Sequence, residues 1–170
     1  MDKLKVVIAD DERLFLQGIT AMVQAQGEEF EVVGTAENGL DALALVREHQ
    51  PDILLTDIRM PKMDGIALIK QLEEENLSVL VIIISAYDDR QYIQYAIRSP
   101  LVYDYINKPF GREEFTEQLR TAAAYRRQQR GKSVRQQERN LSVLILSCLD
   151  IIDQRLEDSE LSVSTVAPVP

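Results

Sequence analysis

Short apolar runs alternate with segments of helical period along the first three-quarters of the chain. Leu4–Ala9, Phe30–Thr35, Ile53–Thr56, Val79–Ile84 and Tyr103–Ile106 read as strands. Between them lie Arg13–Gln26, Gly39–His49, Ile66–Glu75 and Asp89–Ser99, and a long segment begins at Arg112. These carry apolar residues at three- and four-residue spacing and read as helices. On the first helix, Leu14, Ile19, Met22 and Val23 are expected on one broad buried face. Ile53–Thr56 and Val79–Ile84 are apolar without alternation, as strands covered on both faces require. Gln50-Pro51-Asp52 breaks the second helix before the third strand. Five βα units joined by right-handed crossovers predict an open, doubly wound parallel sheet with helices on both faces.

After about residue 130 the pattern changes. Residues 128–140 are polar and include Gly131; they read as a linker or a continuation of the preceding helix. Leu141, Leu144, Ile145, Cys148, Ile151, Ile152 and Leu156 then recur at three- and four-residue spacing. They predict an amphipathic helix over 141–158, whose apolar stripe needs a partner surface. Residues 159–170 end in two prolines and are expected to be a disordered tail. The domain reading is therefore 1–127 as one compact domain, followed by these three segments.

The chain has 170 residues, 45% of them apolar, enough for one domain with a real core and an appendage. Its net charge of −9 argues against tight nonspecific nucleic-acid binding by the whole chain. The charge is uneven: from Arg112 to Arg139 there are eight basic and four acidic residues, a local +4 that leaves −13 elsewhere. Such a run reads first as a solvated helix face and second as a patch for an acidic partner. The single cysteine, Cys148, excludes an intramolecular disulfide framework and reads as packing. No signal-peptide layout opens the chain, and no apolar run approaches the ~20 residues of a membrane span. A soluble cytoplasmic protein without membrane contact is the expectation.

Candidate chemistry lies at the strand ends. Asp10-Asp11 ends the first apolar run, Asp57 the third and Ser85 the fourth, and Lys108 follows the fifth. Parallel strands bring their carboxyl ends to one edge of the sheet, so these residues can meet. Three carboxylates suit a divalent cation such as Mg²⁺, which takes hard oxygen ligands. A carboxylate is also a nucleophile toward phosphorus, forming an acyl phosphate. Ser85 and Lys108 could neutralise the phosphoryl oxygens. Singly, each residue has a plainer reading: Asp10 or Asp11 as a cap of the first helix, Asp57 or Ser85 as turn residues, Lys108 as a surface lysine. All of them at strand ends within one five-unit pattern favour a shared site.

The chain resembles the receiver domain of bacterial two-component response regulators over residues 4 to about 125. The matching pieces are Ile8-Ala9-Asp10-Asp11-Glu12, Thr56-Asp57-Ile58-Arg59-Met60-Pro61-Lys62-Met63-Asp64-Gly65, Ser85-Ala86-Tyr87 and Lys108-Pro109-Phe110. The resemblance implies a flavodoxin-like α/β fold with strand order 2-1-3-4-5, here with a C-terminal helical extension. It implies that Asp57 accepts a phosphoryl group from a sensor histidine kinase or a small phosphodonor. It implies Mg²⁺ held by Asp11, Asp57 and the Arg59 backbone carbonyl, with Asp10 helping through water. Ser85 and Lys108 would contact the phosphoryl group, Ser85 and Tyr105 would form the switch, and Lys108-Pro109 would be cis. Tyr87 would gate access, while Glu12 and Asp64 would be a helix-start and a turn residue. The switch would reshape the face built by the fourth helix, fifth strand and fifth helix. That face, or the Leu141–Leu156 helix, would carry a homodimer. Such a protein acts on its own aspartate and is not an enzyme toward a separate substrate.

Some features depart from this pattern. Ser99-Pro100-Leu101 stands where receivers often end the fourth helix with a small residue and glycine, so proline stiffens a segment that should move. His49, the sole histidine, ends a predicted helix and reads as a partner of the helix dipole. The segment 145–167 resembles the opening of an AraC-type helix-turn-helix effector, the usual output being transcription regulation. No recognition helix follows in this sequence, so sequence-specific DNA binding by the chain as it stands is not expected. A truncated protein and a stand-alone receiver with a helical tail stay open. Three rivals remain: a receiver acting only as an interaction module, an aspartyl phosphatase of the haloacid dehalogenase type, and a flavin carrier. The phosphatase needs an acid where Arg59 stands, and the flavin carrier needs a phosphate loop where Asp10-Asp11-Glu12 stands.

Overall fold

The computed structural model describes residues 2–86, Tyr95 and 98–132. Five strands, β1 (Leu4–Ala9), β2 (Phe30–Ala36), β3 (Ile53–Thr56), β4 (Leu80–Ser85) and β5 (Val102–Asn107), form one parallel sheet in the order β2-β1-β3-β4-β5. Helices α1 (Arg13–Gln24), α2 (Gly39–His49) and α3 (Gly65–Glu74) follow the first three strands, and a closing helix runs over residues 112–132. The flavodoxin-like doubly wound fold is thus present. Tyr95 and Arg98 are helical, but most of the expected helix 89–99 lies outside the described residues. So do the segment 133–140, the amphipathic helix 141–158, the tail 159–170 and Tyr87. The chain divides into two compact units, Met1–Arg126 and Arg127–Pro170.

Side chains alternate across each strand, which splits the core in two. Val6, Ile8, Leu55 and Ile82 pack with Leu16, Ile19 and Val23 of α1 and with Phe115 and Leu119 of the closing helix. Val7, Ala9, Leu54 and Val81 pack on the other face with Leu43 and Val46 of α2 and Leu68 and Leu72 of α3. β3 and β4 are buried along their whole length because both faces are covered.

Three expectations need correction. Leu14 does not join the buried face of α1; it is 85% exposed, and Leu16 takes the core position. At 100° per residue these two positions point away from each other. Helix α1 also stops at Gln24, because a 3₁₀ turn over Gly27–Glu29 follows and Gly27 has φ +77°. Helix α3 starts one residue early at Gly65, since Asp64 caps it through a 2.7 Å bond from Ala67 N–H.

Candidate functional site

Strand order reverses beside β1, and ligands of open parallel sheets bind at such a point beyond the carboxyl ends. β1 ends there at Ala9, β3 at Thr56, β4 at Ser85 and β5 at Asn107. Backbone bonds fix the residues that follow. Asp10 N–H donates to Ala36 O (3.0 Å), Asp57 N–H to Ala9 O (2.9 Å) and Lys108 N–H to Ser85 O (3.0 Å). Neither Asp10 nor Asp11 caps α1. Its N-cap is Glu12, with no side-chain cap bond, and the Asp10 carboxylate accepts Glu12 N–H at 2.9 Å. That bond locks the turn and aims Asp10 across the sheet edge.

Asp10, Asp11 and Asp57 each offer one carboxylate oxygen within 4.8 Å of the others. Asp10 and Asp57 are buried, and Asp11 is exposed at the rim. Lys108 is not a surface lysine. Its side chain is 10% exposed, and Nζ lies 2.6 Å from Asp10 Oδ2 and 3.1 Å from Asp57 Oδ2. Asp57 Oδ1 accepts Ile58 N–H at 2.6 Å, so both of its oxygens are held. Burial pushes the Asp10 carboxyl up, against the opposing pull of the Lys108 bond, the Glu12 amide and the Lys108 charge; the Asp57 charge adds to the rise. Burial also disfavours the Lys108 ammonium, but the Asp10 bond and the charges of Asp57 and Asp10 outweigh it and raise the lysine. The two directions compete, since a neutral Asp10 would forfeit the shorter of the two ion pairs. The direct contact of the Lys108 ammonium with Asp10 opposes the effect of burial on that carboxyl.

The Ser85 hydroxyl is fully buried and has no hydrogen-bond partner among the described residues. Buried polar atoms are rarely left so, which marks the edge as fitted to a group with oxygens to offer. An all-oxygen set of three carboxylates likewise fits a hard divalent cation such as Mg²⁺. The loop 57–65 is held tightly. Gly65 N–H donates to Ile58 O at 2.7 Å, and a Cβ on Gly65 would lie 2.1 Å from the Asp57 carbonyl oxygen. Arg59 is exposed in this loop, two residues beyond Asp57.

A family model described as the response regulator receiver domain matches residues 6–120. The chain belongs to this family. Among curated relatives, an uncharacterized response regulatory protein of Staphylococcus epidermidis is 42% identical over 105 residues, covering 62% of this chain and 41% of that protein. The transcriptional regulatory protein HptR of Staphylococcus aureus is 40% identical over 105 residues, covering 62% of this chain and 40% of HptR. The chain thus matches about two-fifths of the length of these relatives. Among solved structures, the REC domain of AraT, a response regulator from Geobacillus stearothermophilus, is 36% identical with a TM-score of 0.68. It covers 76% of this chain and 99% of its own. The receiver domain of the response regulator NarL from Mycobacterium tuberculosis is 31% identical with a TM-score of 0.67, covering 73% of this chain and 98% of its own.

Within this receiver domain, sequence reasoning brought Asp10, Asp11, Asp57, Ser85 and Lys108 to one sheet edge, and that is where they lie. Tyr105 stands in β5 opposite Ile83, half-buried against the α2–α3 side of the core, and not in the acidic cluster. The Lys108-Pro109 peptide is cis. His49 ends α2 at the opposite end of the sheet from the acidic cluster. Phe15 was missed: its ring centroid lies 3.8 Å from Lys108 Nζ. An aromatic residue in the first turn after the acidic pair was the available signal. Arg126 and Asp52 were missed too, and no motif pointed to them. Asp52 has no exposed surface. It accepts Lys5 N–H at 3.0 Å and Arg126 Nε at 3.4 Å, while Arg126 also donates to Ser78 O at 2.6 Å. Among the described residues no helix is long and apolar enough to cross a membrane.

Proposed function

We propose that this receiver domain accepts a phosphoryl group on Asp57 and uses it to switch an output. The observation that carries the reading is the Asp10–Asp11–Asp57 cluster, with the Lys108 ammonium reaching Asp10 and Asp57 and the orphaned Ser85 hydroxyl on the same edge. The donor is a phosphohistidine on a sensor histidine kinase, or a small acyl phosphate. A carboxylate oxygen of Asp57 forms the new O–P bond. The bond from phosphorus to the donor breaks and the donor atom keeps the electron pair: the phosphohistidine nitrogen leaves as neutral imidazole because the other ring nitrogen carries a proton, and the acyl phosphate leaves as a carboxylate. Asp11, Asp57 and the Arg59 carbonyl would hold Mg²⁺, with Asp10 behind them. The cation would neutralise negative charge on the transferring group. Lys108 would donate to one phosphoryl oxygen and Ser85 to another, giving its hydroxyl the partner it lacks.

The switch is a population shift driven by contacts made only in the phosphorylated state. Ser85 moves toward the new group, Tyr105 turns inward behind it, and the face built by helix 89–99, β5 and the closing helix changes shape. That face, or the segment 141–156, controls self-association or an output outside the matched region. The output is transcription regulation, supported by HptR being named a transcriptional regulatory protein. Residues 1–127 form the signalling unit, and the remainder of the chain connects it to the output. The cytoplasm is the compartment such a partner kinase requires.

The test is covalent labelling. With Mg²⁺ and labelled acetyl phosphate, the wild type takes up about one phosphoryl group per chain in a base-labile acyl linkage, as expected for one carboxylate nucleophile. Asp57→Asn takes up none while keeping its thermal unfolding midpoint. A labelled Asp57→Asn protein would sink the assignment of the site.

A further inference from the structure

Besides Asp10 and Asp57, and Glu12 at 4.0 Å, the Lys108 ammonium makes a contact that its acidic partners do not explain. Its Nζ lies 3.8 Å from the centroid of the Phe15 ring, well inside the ~6 Å over which an aromatic face attracts a cation. We propose that Phe15 is a positioning residue that seats Lys108, holding its ammonium at Asp10 and Asp57 for the phosphoryl transfer read above. The inference rests on that reading of the site.

Several observations separate this role from plain packing. The core of α1 is supplied by Leu16, Ile19 and Val23, all buried, whereas Phe15 is only partly buried. Phe15 packs against the margin of that core and also lines a small gap shared with Asp10, Thr56 and Asp57. Its ring is braced by Phe110. Phe110 meets it edge-on, with centroids 5.9 Å apart at 88°, and stacks in turn on Phe115 at 5.6 Å and 23°. Phe115 is fully buried in the closing helix. The seat is therefore fixed to the core, so its own position does not depend on the mobility of an exposed helix start.

The chemistry follows from what a phenyl ring offers. Its face attracts the ammonium but accepts no conventional hydrogen bond, so the lysine N–H donors stay directed at carboxylates and, on transfer, at the new phosphoryl oxygen. The ring also displaces water that would otherwise solvate Nζ and let the four-carbon stem swing away. An aliphatic residue would fill the volume without attracting the cation.

The experiment compares Phe15→Tyr, which keeps the ring, with Phe15→Leu, which keeps apolar bulk alone. It is run in the full chain, in the wild-type and Lys108→Ala backgrounds. NMR reads the ring-current shift of the Lys108 ε-methylene, and labelled acetyl phosphate at saturating Mg²⁺ reads the rate of labelling. In Phe15→Leu the ε-methylene should lose its upfield shift, and labelling should slow about tenfold, while Phe15→Tyr stays within about twofold of wild type. In the Lys108→Ala background, Phe15→Leu should have no further effect. Wild-type labelling or an unchanged shift in Phe15→Leu would overturn the proposal. So would equal slowing by both Phe15 variants, or a Phe15→Leu effect that persists without Lys108, since each points to general packing. Phe15→Met replaces Phe15→Leu if the latter does not fold. A wild type that takes up no label would overturn the reading of the site, while the Lys108 shift would still decide on Phe15.

Discussion

At the scale of single residues, the site depends on a few side chains whose environments set their roles. Lys108 is a buried cation whose charge is balanced by Asp10 and Asp57, at 2.6 and 3.1 Å. It therefore competes with any added cation for the same oxygens, yet supplies a fixed positive charge where a phosphoryl group would arrive. Lys108→Ala should slow labelling by acetyl phosphate about a hundredfold, the usual loss for one preorganised donor of this kind. Its Mg²⁺ affinity, measured by calorimetry, should be equal or higher. Wild-type labelling would make Lys108 a purely structural ion-pair partner. Gly65 is constrained by space, since a Cβ there would sit 2.1 Å from the Asp57 carbonyl oxygen. Gly65→Ala should cost about 1–3 kcal/mol through that overlap, read as a lower chemical-denaturation midpoint. An unchanged midpoint would mean that the loop relaxes freely.

At the scale of elements, two contacts tie neighbouring pieces together. Arg47 of α2 bonds both carboxylate oxygens of Glu75, the C-cap of α3, through Nε (2.9 Å) and Nη2. The Arg47 bond is the main reason the Glu75 carboxyl falls from 4.5 to about 2. Because the folded value lies below the ordinary one, this pair stabilises the fold fully above about pH 4.5. Its contribution is lost as pH falls toward about 2. The wild type should therefore lose more of its melting temperature between pH 6 and pH 3 than Glu75→Gln does, and the difference should shrink in high salt because the pair is solvent-exposed. Equal losses would assign the pair no role in acid stability. The second contact anchors the closing helix. Arg126→Met would leave the fully buried Asp52 carboxylate without its arginine partner and Ser78 O without its 2.6 Å donor. A loss of about 2 kcal/mol is expected for charged hydrogen bonds of this type, measured by urea unfolding. A change under 0.5 kcal/mol, the ordinary range for surface substitutions, would show that the anchor is dispensable.

At the scale of the whole molecule, the receiver architecture concentrates negative charge and its counter-charge at one sheet edge, and the switch proposed above would be read out at the face that includes β5 and the closing helix. Light scattering on a sizing column tests that division, with Mg²⁺ alone and with beryllofluoride added as a phosphoryl mimic. The expected outcome is a monomer that becomes a dimer with beryllofluoride in the wild type but not in Asp57→Asn. A dimer under all conditions would instead place a constitutive interface in the segment 141–156.

The alternation of apolar runs and helical periods was enough to predict the five strands, a parallel sheet and the edge on which Asp10, Asp11, Asp57, Ser85 and Lys108 converge, while the strand order came from the resemblance to receiver domains. Backbone hydrogen bonding and burial permit few other arrangements of such a pattern. Its register errors were one or two residues at element ends, where capping by Asp64 and the left-handed turn at Gly27 set the boundary. Leu14 was misplaced because a helix face read from periodicity does not say which neighbour covers it. What only the tertiary structure decided are contacts between residues far apart in sequence, Phe15 over Lys108 and Arg126 on Asp52, and a Ser85 hydroxyl that has no partner among the described residues. Periodicity reports which face of an element is apolar, but not the side chain that another element, tens of residues away, brings against it.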